Sequence, residues 1–598
     1  MKRVWPIFVS ILVVLSACTP MSPQGSTGGT TENSASSTTV NSTSSKVTSE
    51  SATTTTAPVY NGVTYSIVDE GAIPNAETDI SGLVNAIVAK MKEGDTLLFP
   101  QGTYHLKDTI NLTGKNGIKI KGESATIIQA YDPYGGGGHS YFNLVSCNNI
   151  TIEGLTCDYS MPISIAGTVE ETYPDDSYFI IRPFDEFSWV NGKEAYESVY
   201  SHDPDGTPNG ELAGTGLRVK KLDDGRLRVL YGTSSEIAKL EKGDGITLRL
   251  SGGTTAFPMR TATNILMKDI TIHQAIGMVC NITERSGNIT WKNVKVTPKE
   301  GSHQLMITFA DNMWTSEMTG SLIIEDCLFE CLGDDALNVH HRALWALAVN
   351  DSGTMQIGVN HGVGGGYSNA TPSWIQSGEI LSLYDPNTFL ECARVKALSF
   401  DGSILSYELI SGKPAVGCVV DNLTYYPSVR VKTTTVTRSR ARGFTIQSRD
   451  VVVENCTFSR MGIAGILIAP DIAHWNELGP SANVTIRNNT FDKCVRAASY
   501  LNFASIMVKC SHDSQEFGYP SGVHTGLTIE NNVFDRSGGA AILVSSTDSV
   551  TLKNNHIKQY DAFPMPEPDA GSAIRLLNCT NVVQENNKTD HGVLIFQE

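Results

Sequence analysis

Eight short segments repeat one pattern of apolar and polar positions: NITIEGLTCD (149–158), NILMKDITIH (264–273), NITWKNVKVT (288–297), SLIIEDCLFE (321–330), DVVVENCTFS (450–459), NVTIRNNTFD (483–492), GLTIENNVFD (526–535) and SVTLKNNHIK (549–558). Counted from Ile265, Ile289, Leu322, Val451, Val484, Leu527 and Val550, apolar residues alternate at positions 1 and 3 and return at position 8, after a polar turn. Strict alternation marks a half-buried strand. Its recurrence without helix-period segments marks a solenoid. The tightest starts lie 23 or 24 residues apart, and longer intervals imply loops or insertions. This predicts an all-β chain: a right-handed parallel β-helix of the pectin-lyase-like kind, with three short strands per coil.

Position 6 carries Cys327, Cys456, Asn489, Asn532 and Asn555, which stacked coils would align as an inward ladder. A free cysteine behaves as a small buried hydrophobe, so most of the cysteines are expected in the core, unpaired. Near the N-terminus Asp79 is placed to cap a helix with apolar Ile80, Leu83, Val84, Ile87, Val88 and Met91. Such a helix would cover the open end of the solenoid, where edge groups need protection. Two stretches, about 160–262 and 342–445, lack the repeat but keep strand-like alternation, as in RLRVLYG and GEILSLYD. They are too long for plain loops, and predict two inserted β-rich, barrel-like subdomains.

The N-terminus changes the picture of where the protein works. MKRVWPIFVSILVVLSAC has two basic residues and an apolar run too short to span as a stable helix. Leu15-Ser16-Ala17-Cys18 resembles a bacterial lipobox. Residues 1–17 are therefore expected to be a lipoprotein signal peptide and Cys18 the lipidation site. Residues 18–57, mostly Ser, Thr, Gly and Asn after the cysteine, form the expected flexible tether, and 58–598 the catalytic β-helix. The location would be extracytoplasmic, on the cell surface or envelope, with the lipid as sole membrane contact. A formal net charge of −17 disfavours nucleic acid and polyanionic partners.

The chemistry is concentrated in LGDDALNVHH (332–341). Aligned on position 8, Asp334-Asp335 match Ile463-Ala464 and Gly539-Ala540 of sister coils, where small or apolar residues suffice. Two like charges in that slot cost stability unless compensated. Asp311 lies 23 residues before Asp334, one coil away. Coils stack at about 4.8 Å, so three carboxylates are expected within about 5–10 Å. Such a cluster raises at least one pKa and keeps another group ionised, which is what a glycosidase requires. His340 and His341 are adjacent on a strand and point oppositely, so a shared metal is not expected. No cofactor is implied.

The stretch ADNMWTSEMTGSLIIEDCLFECLGDDALNVH resembles the catalytic region of glycoside hydrolase family 110, the β-helical α-galactosidases. GILIAPDIAHWNELG with NVTIRNNTF, and ITIEGLTCDYSMPISIAGTV, resemble the family too, so that the likeness spans roughly 60–590. It implies inverting hydrolysis of terminal α-1,3-linked galactose, with a galactosylated oligosaccharide or glycoconjugate as substrate. Carried over, it makes Asp311, Asp334 and Asp335 the catalytic candidates, one of the pair as acid and Asp311 with the other as base. The order within the pair stays open. Asn338 and His340 would bind galactose hydroxyls, and Trp475 and Glu477 match the later motif. Met313-Trp314 and His341 depart from the family pattern, which bears on the sugar and linkage. Other readings are a different α-glycosidase, a polysaccharide lyase on the same fold, and a non-catalytic glycan-binding surface lipoprotein. The acidic cluster disfavours the lyase, which needs a cation to neutralise its uronate.

Overall fold

A computed structural model describes residues 60–135, 137–359, 375–497, 504–510, 517–563 and 570–598. Cys18 and the segments expected to be signal peptide and tether lie outside the described residues. Pro58–Glu598 is one compact unit.

The repeat builds a right-handed parallel β-helix. Position 1 stacks as Val429, Val451, Val484, Leu527 and Val550, each pair in parallel register. Position 8 stacks Phe458, Phe491 and Phe534 face to face, with ring centroids 5.0 and 4.8 Å apart. A third column runs Leu337, Phe444, Ile466, Ile506, Ile542, Ile574 and Ile595. The Asn-Asn pairs of the sequence divide the work of each turn. Asn488, Asn531 and Asn554 take φ of 56°, 56° and 53°, a left-handed conformation that asparagine tolerates. The following asparagine enters the ladder: Asn489 donates to Asn532 at 3.1 Å, Asn532 to Asn555 at 3.1 Å, and Asn555 to Asn587 at 2.9 Å. Cys327 and Cys456 continue the same column, buried, and the cysteines of the described residues are all free.

The helix spans Ser81–Lys90 and buries Val84, Ile87 and Val88. Ile80 rather than Asp79 stands at its N-cap, while the Asp79 carboxylate accepts the Ser81 backbone N–H at 2.9 Å.

Both insertions are present, with tighter bounds than the sequence suggested. The first is a seven-stranded antiparallel sheet from Ser164 to Leu250, with its own core around Phe179, Val199 and Leu248. The second is a closed six-stranded barrel from Leu344 to Asn422. Phe257–Arg260, assigned above to the first insertion, pairs in parallel with Cys280–Thr283 and belongs to a coil. Ser428–Lys432, Thr435–Thr437 and Phe444–Ile446 likewise complete a coil. That coil has a buried threonine, Thr434, at position 6, where the neighbouring coils carry Cys327 and Cys456.

Candidate active site

The third column positions the carboxylates. Asp311 precedes the strand Met313–Ser316, and Asp334-Asp335 precede Leu337–Arg342. The register pairs Trp314 with Asn338, so the coil is one residue longer than the sequence spacing assumed and Asp311 stacks on Asp335. The backbone confirms this: the Asn312 N–H donates to the Asp335 carbonyl at 2.9 Å. The next coil, reached only after the whole barrel, places Arg442 on Asp335 and aligns Phe444 with Leu337. Later coils fill the slot with Ala464, Ala504 and Ala540, small groups as expected.

Asp311, Asp334, Asn338, Trp475 and Glu477 line one cleft of about 170 Å³, together with Trp314, Arg442 and Thr445. The remaining candidates lie behind it. Asp335 is fully buried and accepts the Arg442 backbone N–H at 3.0 Å, Arg442 Nε at 2.7 Å and Thr445 Oγ1 at 2.8 Å. His340 is buried with Nδ1 3.0 Å from Asn338 Oδ1 and its ring edge-on to Trp314. His341 turns the other way, to Asp421 of the barrel at 2.6 Å.

Glu477 reaches the site on a two-residue strand, Glu477–Leu478, antiparallel to His341 and Arg342. Asn338 Nδ2 donates to it at 3.1 Å and Gln447 Nε2 at 3.2 Å. Trp475, two residues before, is 52% exposed and leaves its indole free to stack on a sugar face.

These surroundings set the protonation states. Burial pushes the Asp311 carboxyl well above the usual range, and the like charges of Asp334, Asp335 and Glu477 push the same way. Burial also raises Glu477, to about 8, against the pull of Arg442. For Asp335 burial again raises the value, and the Arg442 guanidinium opposes it. Burial holds the His340 imidazole well below its ordinary value. It is thus a neutral hydrogen-bonding group, and its 3.7 Å approach to Glu477 is not an ion pair. Asp334 instead pairs with Arg440 at 3.1 Å and stays partly open to solvent. The site therefore holds a retained proton beside an ion-paired carboxylate.

Glu477 gives a direct check. The folded protein keeps this proton to about pH 8, whereas an unfolded Glu releases it near 4.3. Stability contributed by the proton is present below the unfolded value and lost as pH rises through the folded one. Glu477→Gln, which mimics the protonated carboxyl, should therefore narrow the drop in melting temperature between pH 6 and pH 9. An unchanged drop would mean that Glu477 is already ionised at neutral pH.

Arg440 and Arg442 were missed in the sequence because the presumed second insertion ran to 445 and swallowed them. Aligned one coil after GDDALNV, SRARGFTI puts Arg442 opposite Asp335.

A parallel β-helix with carboxylates clustered in a cleft has the equipment of a glycoside hydrolase, and the similarity to curated relatives supports that class. Residues 421–519 and 480–595 match the family model described as a right handed beta helix region. The chain is 26% identical over 553 residues to alpha-1,3-galactosidase A of Bacteroides fragilis (strain YCH46), covering 84% of this chain and 88% of that protein. It is 24% identical over 584 residues to alpha-1,3-galactosidase B of Akkermansia muciniphila, covering 90% and 71%. The resemblance to glycoside hydrolase family 110 read from the motifs agrees with these relatives. A family 28 exopolygalacturonase of Yersinia enterocolitica has a similar solved structure, with a TM-score of 0.43 and 11% identity over 90% of this chain and 77% of that one.

Proposed function

We propose that this chain is an exo-acting, inverting hydrolase of terminal α-1,3-linked galactose. One observation carries the reading: the cleft that holds the acids has room for little more than one small polar unit. At about 170 Å³ it falls below the range of extended ligand sites, which suits removal of a single end residue. The names of the relatives supply the sugar and the linkage.

In this mechanism a protonated carboxyl gives its proton to the glycosidic oxygen as the C1–O bond breaks. An ionised carboxylate takes a proton from a water that attacks C1 from the opposite face. Asp311 and Asp334 line the cleft and carry these two roles. Asp335 holds Arg442 beneath them. Asn338 and Glu477 bind ring hydroxyls, and Trp475 covers the apolar face of the sugar.

The test is hydrolysis of p-nitrophenyl glycosides and of α-1,3-galactosyl oligosaccharides, with the product anomer followed by NMR. First-formed β-galactose from the chain end is expected. First-formed α-galactose, or cleavage within the chain, would overturn the stereochemical or the exo reading.

The lipobox supports a further part of the proposal, attachment outside the cytoplasm through Cys18. Cys18→Ser should release soluble protein with unchanged specific activity. Activity lost along with the anchor would contradict a tether that contributes nothing to the fold.

A further inference from the structure

The outward residues of the third column form a continuous row. Asn111 pairs with Asn143, Pro258 with Asn281, Asn281 with Trp314 and Trp314 with Asn338. Asn143 stands beside Pro258, because Leu144 pairs with Met259. Trp314 and Asn338 are already in the catalytic cleft. The other end of the row floors a larger groove, about 640 Å³, whose opposite wall is the cap helix at Asn85, Val88 and Ala89.

We propose that this groove binds the remainder of the glycan, the neutral sugars beyond the galactose that is cleaved. The proposal rests on the hydrolase reading above. Its lining includes the amides of Asn85, Asn111 and Asn143 and the hydroxyls of Thr109, Thr113 and Ser140, beside the Asp108 carboxylate, groups that suit sugar hydroxyls. Its one lysine, Lys115, spends its ammonium on the carbonyls of Ala89 and Met91 at 3.1 and 3.0 Å, so the groove makes no demand for an anion. Between groove and cleft the row continues through Asn281, half-buried on the same outward line between Pro258 and Trp314. The coil spacing of about 4.8 Å is comparable to the length of one pyranose in a chain, so successive sugars meet successive rungs. The volume also lies within the range of ligand sites that bury several ring-sized units.

The experiment compares p-nitrophenyl α-galactoside with a pentasaccharide ending in α-1,3-galactose. Wild type, Asn111→Ala and Asn143→Ala are assayed in parallel, with melting temperatures as a control on folding. The wild-type kcat/KM should be higher on the pentasaccharide. Each variant should lose up to about tenfold on the pentasaccharide, the worth of one or two neutral hydrogen bonds. That loss should appear in KM, with the p-nitrophenyl rate unchanged. Equal losses on both substrates, or no length dependence in the wild type, would overturn the groove. If the wild type cleaves neither substrate, the hydrolase reading itself has failed and the groove falls with it.

Discussion

Asp311→Asn and Asp334→Asn should each cut turnover by about 10²–10⁴-fold, the usual worth of a positioned acid or base, and both variants should stay folded. Asp334 faces the cleft and its partner Arg440 is partly exposed, so water can replace the lost charge. Asp311 already favours its neutral form through burial and like charge, and asparagine imitates that form. The roles separate by leaving group. The variant that lacks the acid should retain more activity on p-nitrophenyl galactoside, whose leaving group needs no proton, than on an oligosaccharide. The variant that lacks the base should lose both alike. Asp335→Asn should behave differently. It alters a fully buried group that accepts the Arg442 backbone N–H, Arg442 Nε and Thr445 Oγ1, and disturbing such a network costs about 1–3 kcal/mol, so it should melt below the wild type. Full activity in both Asp311→Asn and Asp334→Asn would end the catalytic assignment.

Ile486→Asp should destabilise the protein by several kcal/mol, at the large end for single substitutions. Ile486 is fully buried at position 3 of its coil, in register with Val453 below and Ile529 above. The core is continuous along the axis, so a charge there meets apolar neighbours on both sides with no nearby route to water. Thermal unfolding and the urea midpoint measure it. An unchanged midpoint would show that this rung tolerates solvent, which a close-packed stack does not.

The fold was legible because a solenoid writes its period into the chain. Val484, Phe491 and Asn489 recur with their equivalents in the next coil, and the Asn-Asn pairs announce both turn and ladder. The slot occupied by Asp334 and Asp335 stood out for the same reason, since its sister coils carry alanine. What escaped was set by contacts between distant parts of the chain. Arg442 meets Asp335 only once the barrel is excised from the count. The raised pKa of Glu477 depends on the short antiparallel strand that carries it into the site, which no repeat encodes. That Asp335 lies behind the cleft while Asp334 opens onto it is set in the turn before the strand Leu337–Arg342, by the bonds that Asp335 accepts from Arg442 and Thr445.

The barrel between Asp335 and Arg442 has a consequence for the order in which the site comes into being. Asp334 and Asp335 precede the barrel in the chain and their guanidinium partners Arg440 and Arg442 follow it. The barrel must therefore be looped out before the acidic rung acquires its cations, which makes completion of the site a long-range event in folding. Until then that rung offers an open strand edge to a chaperone or to another copy.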